Sequence, residues 1–417
     1  MTARLALESD LRQFVSRLLR FDTTAPNEKA AQAWVEQTLV SWGFETYTWT
    51  ADAARLATHP SFPDDPAAID VADRPSVGGV LEFGDPEAGP TVVLNGHVDV
   101  VPAEGEWSSD PFEPTWDGDN LTARGAADMK SGLSACIFAA RTLAESSENL
   151  NGRVVVESVV GEEEGGIGAA AAALDNPYPF SRDMALIAEP TELRPVLAVE
   201  GSVMKRLELA GRSAHAARRW CGESVLPHFE AIRRAFEELE AERAERIQHP
   251  LYDRFENPWP TSFGTVHAGS WASTVPSELT AEVRIGVAPG ETVAAVEAEY
   301  EARLADVVAE NEWLSEHPPS FERFSIQFEA GEISEAEPIH RALQAAMAEA
   351  GLSNREPIGE TYGADSRHYI EAGIPTVVFG PGTIDQAHFP DETIDFREVV
   401  TATSVIADTV SRLLQTE

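Results

Sequence analysis

The chain has 417 residues, of which 43% are hydrophobic, and this is enough apolar material to bury two cores, so we expect two domains. Its formal net charge is −39, with lysine only at positions 29, 130 and 205, which argues against nucleic acid or an anionic membrane as a partner and predicts adaptation to concentrated salt. Two cysteines, an N-terminus without a signal-like apolar core and the lack of a membrane-spanning apolar run predict a cytoplasmic protein.

The first part of the chain alternates helical and strand patterns. Helices are predicted at about residues 6–19, 27–42, 131–145 and 166–174, strands at about 78–83, 91–94, 154–160 and 184–188, and a surface loop rich in Ala, Asp and Pro at 51–75. A later helix at 338–350 and a strand at 376–379 return to the same unit. Such alternation is typical of a mixed, largely parallel sheet sandwiched by helices.

The pattern changes after residue 200. Strands are predicted at about residues 202–210, 262–268, 279–287 and 321–328, and helices at about 224–248 and 292–312. This β-α-β-β-α-β order predicts a ferredoxin-like domain inserted into an α/β protein.

Polar residues follow the predicted buried strands at the point where each strand ends. These residues are His97, Asp99, the glutamate run at 162–164, Glu189 and His388, and Asp128 follows a glycine-alanine turn just before an apolar helix. His97 and Asp99 point the same way on extended backbone, which would let the Asp99 carboxylate support the His97 ring. Zinc takes nitrogen and oxygen ligands, and an open α/β sheet gathers such groups at the carboxyl ends of its strands, so the sequence predicts a metal site there.

Six motifs, found in this order between residues 95 and 388, carry a family resemblance: HVDVVP, GAADMKSG, GEEEGG, AEPTE, GRSAHA and GPGTIDQAH. The chain resembles the dinuclear zinc amidohydrolases that include acetylornithine deacetylase, succinyl-diaminopimelate desuccinylase, aminoacylase and glutamate carboxypeptidase. It is most similar to acetylornithine deacetylase. The resemblance implies a zinc-exopeptidase-like catalytic domain, assigned to residues 1–199 and 330–417, and a lid domain at 200–329 that forms a homodimer.

The resemblance also implies two Zn²⁺ ions per chain, which Co²⁺ could replace. The five implied ligands are the bridging Asp128, His97 and Glu189 on one ion, and Glu163 and His388 on the other. Glu162 would be the general base, and Asp99 would orient His97 without touching metal.

The run of three glutamates leaves a second register open. Relatives usually carry an acid where this chain has Gly161, so Glu163 could be the base and Glu164 the ligand. The glycine spacing that follows the run favours the first register.

The lid and the returning segment supply further candidates by resemblance. His215, in GRSAHA, would enter the partner subunit's site and stabilise the oxyanion. Arg284 would bind the substrate α-carboxylate with its planar guanidinium, although Ser273 stands where many relatives carry asparagine. Arg367 and Gly382 are weaker candidates for substrate binding.

The resemblance thus implies a hydrolase that removes an acyl group, expected to be acetyl, from an amino acid such as N-acetylornithine. The alternatives are a succinyl-diaminopimelate desuccinylase, a metallo-carboxypeptidase or dipeptidase with the same residues, and an inactive relative that binds a metabolite or serves as a scaffold. The last requires a lost ligand or base, and the sequence lacks none of them. The motifs contain no lysine suited to a succinyl carboxylate, and acidic surroundings favour a cationic substrate side chain.

Overall fold

The computed structural model describes residues 2–63, 65–145 and 149–415, with side chains from residue 7 onward. The helices are α1 Thr2–Leu19, α2 Lys29–Ser41, α3 Ala53–Leu56, α4 Lys130–Ala144, α5 Ile167–Leu174, α6 Val225–Arg246, α7 Val293–Ala309, α8 Glu312–Glu316, α9 Pro338–Glu349, α10 Ser366–Glu371 and α11 Phe396–Leu414. The strands are β1 Glu45–Thr50, β2 Pro75–Phe83, β3 Thr91–His97, β4 Thr115–Asp117, β5 Asn120–Thr122, β6 Gly152–Val159, β7 Met184–Ile187, β8 Val196–Val199, β9 Gly201–Ala210, β10 Thr261–Ala268, β11 Glu278–Val287, β12 Ser320–Arg323, β13 Gly331–Glu332, β14 Ile358–Glu360, β15 Thr376–Val378 and β16 Thr393–Asp395. Within the described ranges, no helix combines the length and the apolar character that crossing a bilayer requires.

A nine-stranded sheet forms the larger unit. Its order is β1-β2-β6-β3-β7-β15-β8-β13, with β14 paired to β8. The neighbouring strands β6, β3, β7 and β15 run parallel, whereas β1 and β2 are antiparallel at one side and β8 is antiparallel to β15. The central strands are buried along their whole length, which explains their near-continuous apolar sequences. The predicted mixed, largely parallel sheet is confirmed.

Helices cover both faces of this sheet. The α1, α2, α4, α9 and α11 layer packs on one face, and α5 and α10 pack on the other. Two adjacent glycines of β2 show how closely the layers approach, because a Cβ on Gly78 would collide with Tyr178 and one on Gly79 would press on Leu39 of α2. The sheet that positions the site is therefore held rigidly from both sides.

A second, four-stranded sheet has the order β10-β11-β9-β12, and every pairing in it is antiparallel. Helices α6 and α7 bury one face of this sheet in a core of their own, around Phe236, Leu239, Val283 and Tyr300. The chain order β9-α6-β10-β11-α7-β12 is the β-α-β-β-α-β order predicted for the lid. We propose that the two sheets are separate domains with boundaries near residues 200 and 330.

Several local predictions were incomplete or wrong. Residues 51–75 are not only surface loop, because Leu56, Phe62 and Ile69 are buried against α5. The predicted helix 292–312 ends at Ala309, and Asn311 starts a separate helix by accepting a hydrogen bond from Leu314 N at 3.0 Å. The last lid strand stops at residue 323 instead of continuing to 328. The sequence also missed β1 and β8.

Candidate metal centre

The parallel strands deliver polar residues to one edge of the larger sheet. His97 is the last residue of β3 rather than a residue beyond it, and Glu189 lies two residues after β7. The glutamate run follows β6, and His388 follows β15 after a longer loop. Asp128 lies two residues before α4. Because parallel strands share the edge where their carboxyl ends meet, residues far apart in sequence converge there.

The first group consists of His97, Asp128 and Glu189, whose ligand atoms lie within 4.8 Å of one another. His97 Nε2 is 3.1 Å from Asp128 Oδ1 and 3.8 Å from Glu189 Oε1. On the other side of the ring, His97 Nδ1 is 2.9 Å from the carbonyl oxygen of Asp99. A carbonyl can only accept, so Nδ1 carries a proton, and Nε2 is the nitrogen that faces the two carboxylates. This is the arrangement of a metal-binding imidazole.

Asp99 supports His97 differently from the sequence-based expectation. The contact to the ring is made by the Asp99 backbone carbonyl, while its carboxylate Oδ1 is 3.7 Å from Nδ1. The other carboxylate oxygen accepts a hydrogen bond from Glu163 N at 3.2 Å. The Asp99 side chain therefore ties the end of β3 to the glutamate run.

The second group consists of Asp128, Glu163 and His388, and it shares Asp128 with the first. His388 Nε2 is 3.2 Å from Glu163 Oε2 and 3.6 Å from Asp128 Oδ2. Each oxygen of Asp128 therefore faces a different histidine. A carboxylate placed in this way between two histidine-carboxylate pairs suits a bridging ligand.

The third glutamate of the run points elsewhere. Glu164 Oε2 is 2.5 Å from Nη1 of Arg74, whose Nη2 is also 2.5 Å from Oε1 of Glu28. Arg74 and Glu28 are completely buried. Because Glu164 is held by this cation, the structure brings Glu163 rather than Glu164 to His388. The geometry favours the register in which Glu162 is the base.

The carboxyl groups of the centre lie so close together that bound cations would stabilise their charged forms. Burial raises the pKa of Glu162, Glu163 and Glu189, and the other carboxylates of the centre raise it further. Against the effect of burial, Glu189 and its neighbours hold the pKa of His97 well above its ordinary value. Together with Asp128, these three glutamates place four carboxyl groups at the centre. All four cannot be charged at this spacing unless positive charge lies between them. The donor set, two imidazoles and these carboxylates, fits zinc.

Glu392 organises the turn that presents Asp128, a function that the sequence did not suggest. Its buried carboxylate accepts hydrogen bonds from Gly125 N, Ala127 N and Asp128 N at 2.9, 2.7 and 3.0 Å. It also pairs with buried Arg124 at 2.8 Å. The only sequence signal is its position four residues after His388.

The predicted substrate residues occupy different surroundings. Arg284 donates to Glu200 Oε2 at 2.9 Å, and Gly382 N donates to Glu398 Oε2 at 2.8 Å in a left-handed turn with φ 86°. Arg367 is buried, donates to the carbonyl of Ala364 at 2.8 Å and stacks on Phe328. Of these three residues, only Arg367 lies among the carboxylates of the centre, where Glu162 is the charge that acts on it most strongly.

Tyr362 is a group that the sequence did not single out. Its hydroxyl is buried and has no hydrogen-bond partner among the described residues. Burial raises its pKa well above the ordinary value, and Glu360, Glu189 and Asp128 raise it further. Tyr362 therefore presents a neutral phenol close to the carboxylates of the centre.

His215 lies outside both groups of its own chain. It is exposed at the start of a short 3-10 helix after β9, and its Nδ1 accepts a hydrogen bond from Ala217 N at 3.1 Å. Ser273 lies next to it, with its carbonyl accepting from Ala216 N. The predicted lid residues are thus on the surface of the lid rather than at the metal ligands of the same chain.

A third His/Glu group is formed by His368 and Glu371 of α10 together with His59. His59 Nδ1 accepts from Ser61 N at 3.2 Å, so its proton is on Nε2, which lies 3.0 Å from Glu371 Oε2. Both nitrogens of His59 are therefore engaged within the chain, and we assign no ion to this group.

The comparisons with known proteins agree with this geometry. The model of the peptidase family M20/M25/M40 matches residues 93–412. N-formyl-4-amino-5-aminomethyl-2-methylpyrimidine deformylase from Bacillus subtilis (strain 168) is 26% identical over 96% of this chain and 94% of its own length. Acetylornithine deacetylase from Erwinia tasmaniensis is 28% identical over 76% of this chain and 79% of its own.

A solved structure extends the match to the whole fold. The M20 family metallo-carboxypeptidase Sso-CP2 from Sulfolobus solfataricus covers 97% of this chain and 99% of its own, with a TM-score of 0.75 and 15% identity. The family match covers most of the chain and includes both histidine-carboxylate groups. The chain belongs to the peptidase family M20/M25/M40, and it is an amide-hydrolysing metalloenzyme.

Proposed function

We propose that this chain removes an acyl group from a small primary amine by hydrolysing the amide bond at a centre with two divalent metal ions. The observation that carries the proposal is the pair of histidine-carboxylate groups that share Asp128, with Glu162 beside them. His97 and Glu189 would hold one ion, Glu163 and His388 the other, and Asp128 both. Zinc suits this donor set, and cobalt is the natural substitute to test.

Metal ions bound here would lower the pKa of a water and polarise the amide carbonyl. Glu162 would take the proton of that water and deliver it to the departing amine. Burial raises the pKa of Glu162, which favours the protonated form that would deliver the proton to the amine. The Asp99 carbonyl keeps the His97 proton on Nδ1, and Glu392 holds the backbone that presents Asp128.

Two substrate classes follow from the relatives. The first is an N-acyl amino acid such as N-acetylornithine, which the sequence motifs predict and which the deacetylase relatives support. The second is the N-formyl aminomethylpyrimidine named for the B. subtilis relative, a molecule without a carboxylate. The B. subtilis relative matches 96% of this chain, whereas the E. tasmaniensis deacetylase matches 76%. We therefore include the second substrate class.

We also propose that the lid forms a homodimer. Strand β10 is the edge strand of its sheet, and most of its residues are exposed. Val266 on this strand and Trp271 shortly after it are exposed apolar side chains. If His215 acts in the partner's site, mixing a His215→Ala chain with a Glu162→Gln chain should restore part of the activity. Each heterodimer would contain one site with both groups intact. No recovery in confirmed heterodimers would refute this arrangement.

The function is tested with the full-length protein in molar salt, loaded with zinc or cobalt. N-acetylornithine, the formylated aminomethylpyrimidine, N-succinyl-diaminopimelate and a dipeptide are compared by kcat/KM. We expect the wild-type enzyme to hydrolyse at least one of the acylamines. The Glu162→Gln variant should lose this activity while its metal content stays unchanged. Peptide hydrolysis alone would make the carboxypeptidase or dipeptidase assignment correct. A lack of turnover on all four, with about two ions bound per chain, would favour the inactive relative.

A further inference from the structure

Arg284 is already engaged by a carboxylate of its own chain. Its Nη2 lies 2.9 Å from Oε2 of Glu200 and 3.4 Å from the carbonyl oxygen of Thr361. Glu200 is the single residue between β8 and β9, where the chain passes from the larger sheet into the lid sheet. Its side chain is fully buried, and that of Arg284 is 28% exposed. Arg284 thus joins β11 of the lid sheet to the residues around β14 of the larger one.

The place occupied by Glu200 is built for that side chain. A Cβ on Gly286 would lie 1.9 Å from Glu200 Oε1, so the glycine on β11 leaves the room that the carboxylate fills. Glu200 N also donates to the carbonyl of Glu360 at 2.9 Å, which fixes its backbone. A substrate carboxylate on Arg284 would therefore stand beside a second, fixed carboxyl group that already occupies the guanidinium, and the two repel each other whenever Glu200 is ionised.

The other predicted guanidinium, that of Arg367, has no hydrogen-bond partner for its Nε and Nη2 within the described residues, but it lies among more carboxylates than its single charge balances. Arg367 is buried, and the carboxylates of Glu162, Asp365 and Glu189 act on it. Tyr362 follows Thr361 in the chain, and its buried hydroxyl has no partner within the described residues. A phenol can donate a hydrogen bond to a neutral oxygen or nitrogen of a substrate without requiring a negative charge.

We infer that the site selects acylated amines that carry no carboxylate next to the scissile amide, and that Arg284 anchors the lid sheet to the larger sheet instead of binding substrate. This inference rests on the proposed amide hydrolysis and chooses between its two substrate classes. It differs from the substrate predicted from the motifs, in which Arg284 would bind an α-carboxylate.

A matched pair of substrates isolates the carboxylate. Nα-acetylornithine and N-acetyl-1,4-diaminobutane differ only in the α-carboxylate, and both are offered to the metal-loaded wild-type enzyme in the same buffer. We expect kcat/KM for the diaminobutane amide to equal or exceed that for the ornithine amide. A lower value for the diaminobutane amide would overturn the inference. If the enzyme hydrolysed neither these amides nor the formylated pyrimidine, the proposed function itself would fail.

Variants then test the role of the ion pair. Glu200→Gln keeps an acceptor for Arg284 but removes the balancing charge, so the preference should shift about tenfold toward the ornithine amide. Glu208→Gln, at an exposed position on β9, is the matched control and should leave the ratio unchanged. Arg284→Gln should change kcat/KM for the two amides by the same factor. A selective loss of the ornithine amide in Arg284→Gln would show that Arg284 binds the carboxylate and would overturn the inference, even if Glu200→Gln failed to fold.

Discussion

Replacement of Glu200 by glutamine should remove a specific pH dependence of stability. Burial raises the pKa of Glu200 from 4.5 to about 7 in the folded protein, although Arg284 and Arg243 oppose the rise. A folded-state pKa above the unfolded value means that the protonated form favours folding. Its contribution to stability is therefore complete below pH 4.5 and is lost as the pH rises through 7.

The shift corresponds to a total of about 3 kcal/mol at about 1.4 kcal/mol per pKa unit, and most of it falls between pH 5 and pH 8. The free energy of unfolding of the wild type, measured with urea at constant salt, should fall by that much relative to Glu200→Gln across this interval. Glu208→Gln, which is exposed, should run parallel to the wild type. Parallel curves for Glu200→Gln and wild type would refute the reasoning.

Four further results are expected. Asp128→Asn should lose both metal ions and all activity, and metal analysis showing full occupancy would remove Asp128 as the bridge. Glu162→Gln should keep its metal while kcat falls on the order of 10²–10⁴-fold, whereas Glu163→Gln should lose metal. The reverse pattern would show that Glu163 is the base and Glu164 the ligand. Glu392→Gln leaves buried Arg124 without its charge partner, so urea unfolding should show a loss of about 3–5 kcal/mol, and an unchanged midpoint would contradict this. With a net charge of −39, the protein should melt at a lower temperature in dilute buffer than in molar salt, and equal melting temperatures would reject salt adaptation.

The sequence predicted the parts of the site that are local in the chain. Strand β6, Gly152–Val159, is largely apolar because it is buried on both faces, and Gly161 and Gly380 mark where β6 and β15 stop. The polar residues at those stops could therefore be recognised as a site from their positions in the sequence. The β-α-β-β-α-β order of the lid was readable for the same reason, since each element carries its own periodicity.

Contacts between segments that are distant in the chain could not be predicted from the sequence. Glu392 lies 264 residues from Asp128 in sequence, and Glu200 lies 84 residues from Arg284. A glutamate in a charged sequence looks the same whether it is solvated or buried against a cation, because only packing distinguishes the two. The sequence therefore assigned Arg284 to a substrate and left Glu200 unnoticed.

The two histidines of the centre differ sharply in their access to water. The side chain of His97 is 1% exposed, whereas that of His388 is 54% exposed and lies on a backbone with φ 65°. An ion held by His97 and Glu189 could exchange with solvent only if the surrounding protein opened, while one held by Glu163 and His388 would sit at the rim. Asp128 would be shared by the two positions, since its Oδ1 faces His97 and its Oδ2 faces His388. The His97 side of the centre is thus the more protected from solvent, and we expect an ion there to exchange more slowly than one on the His388 side.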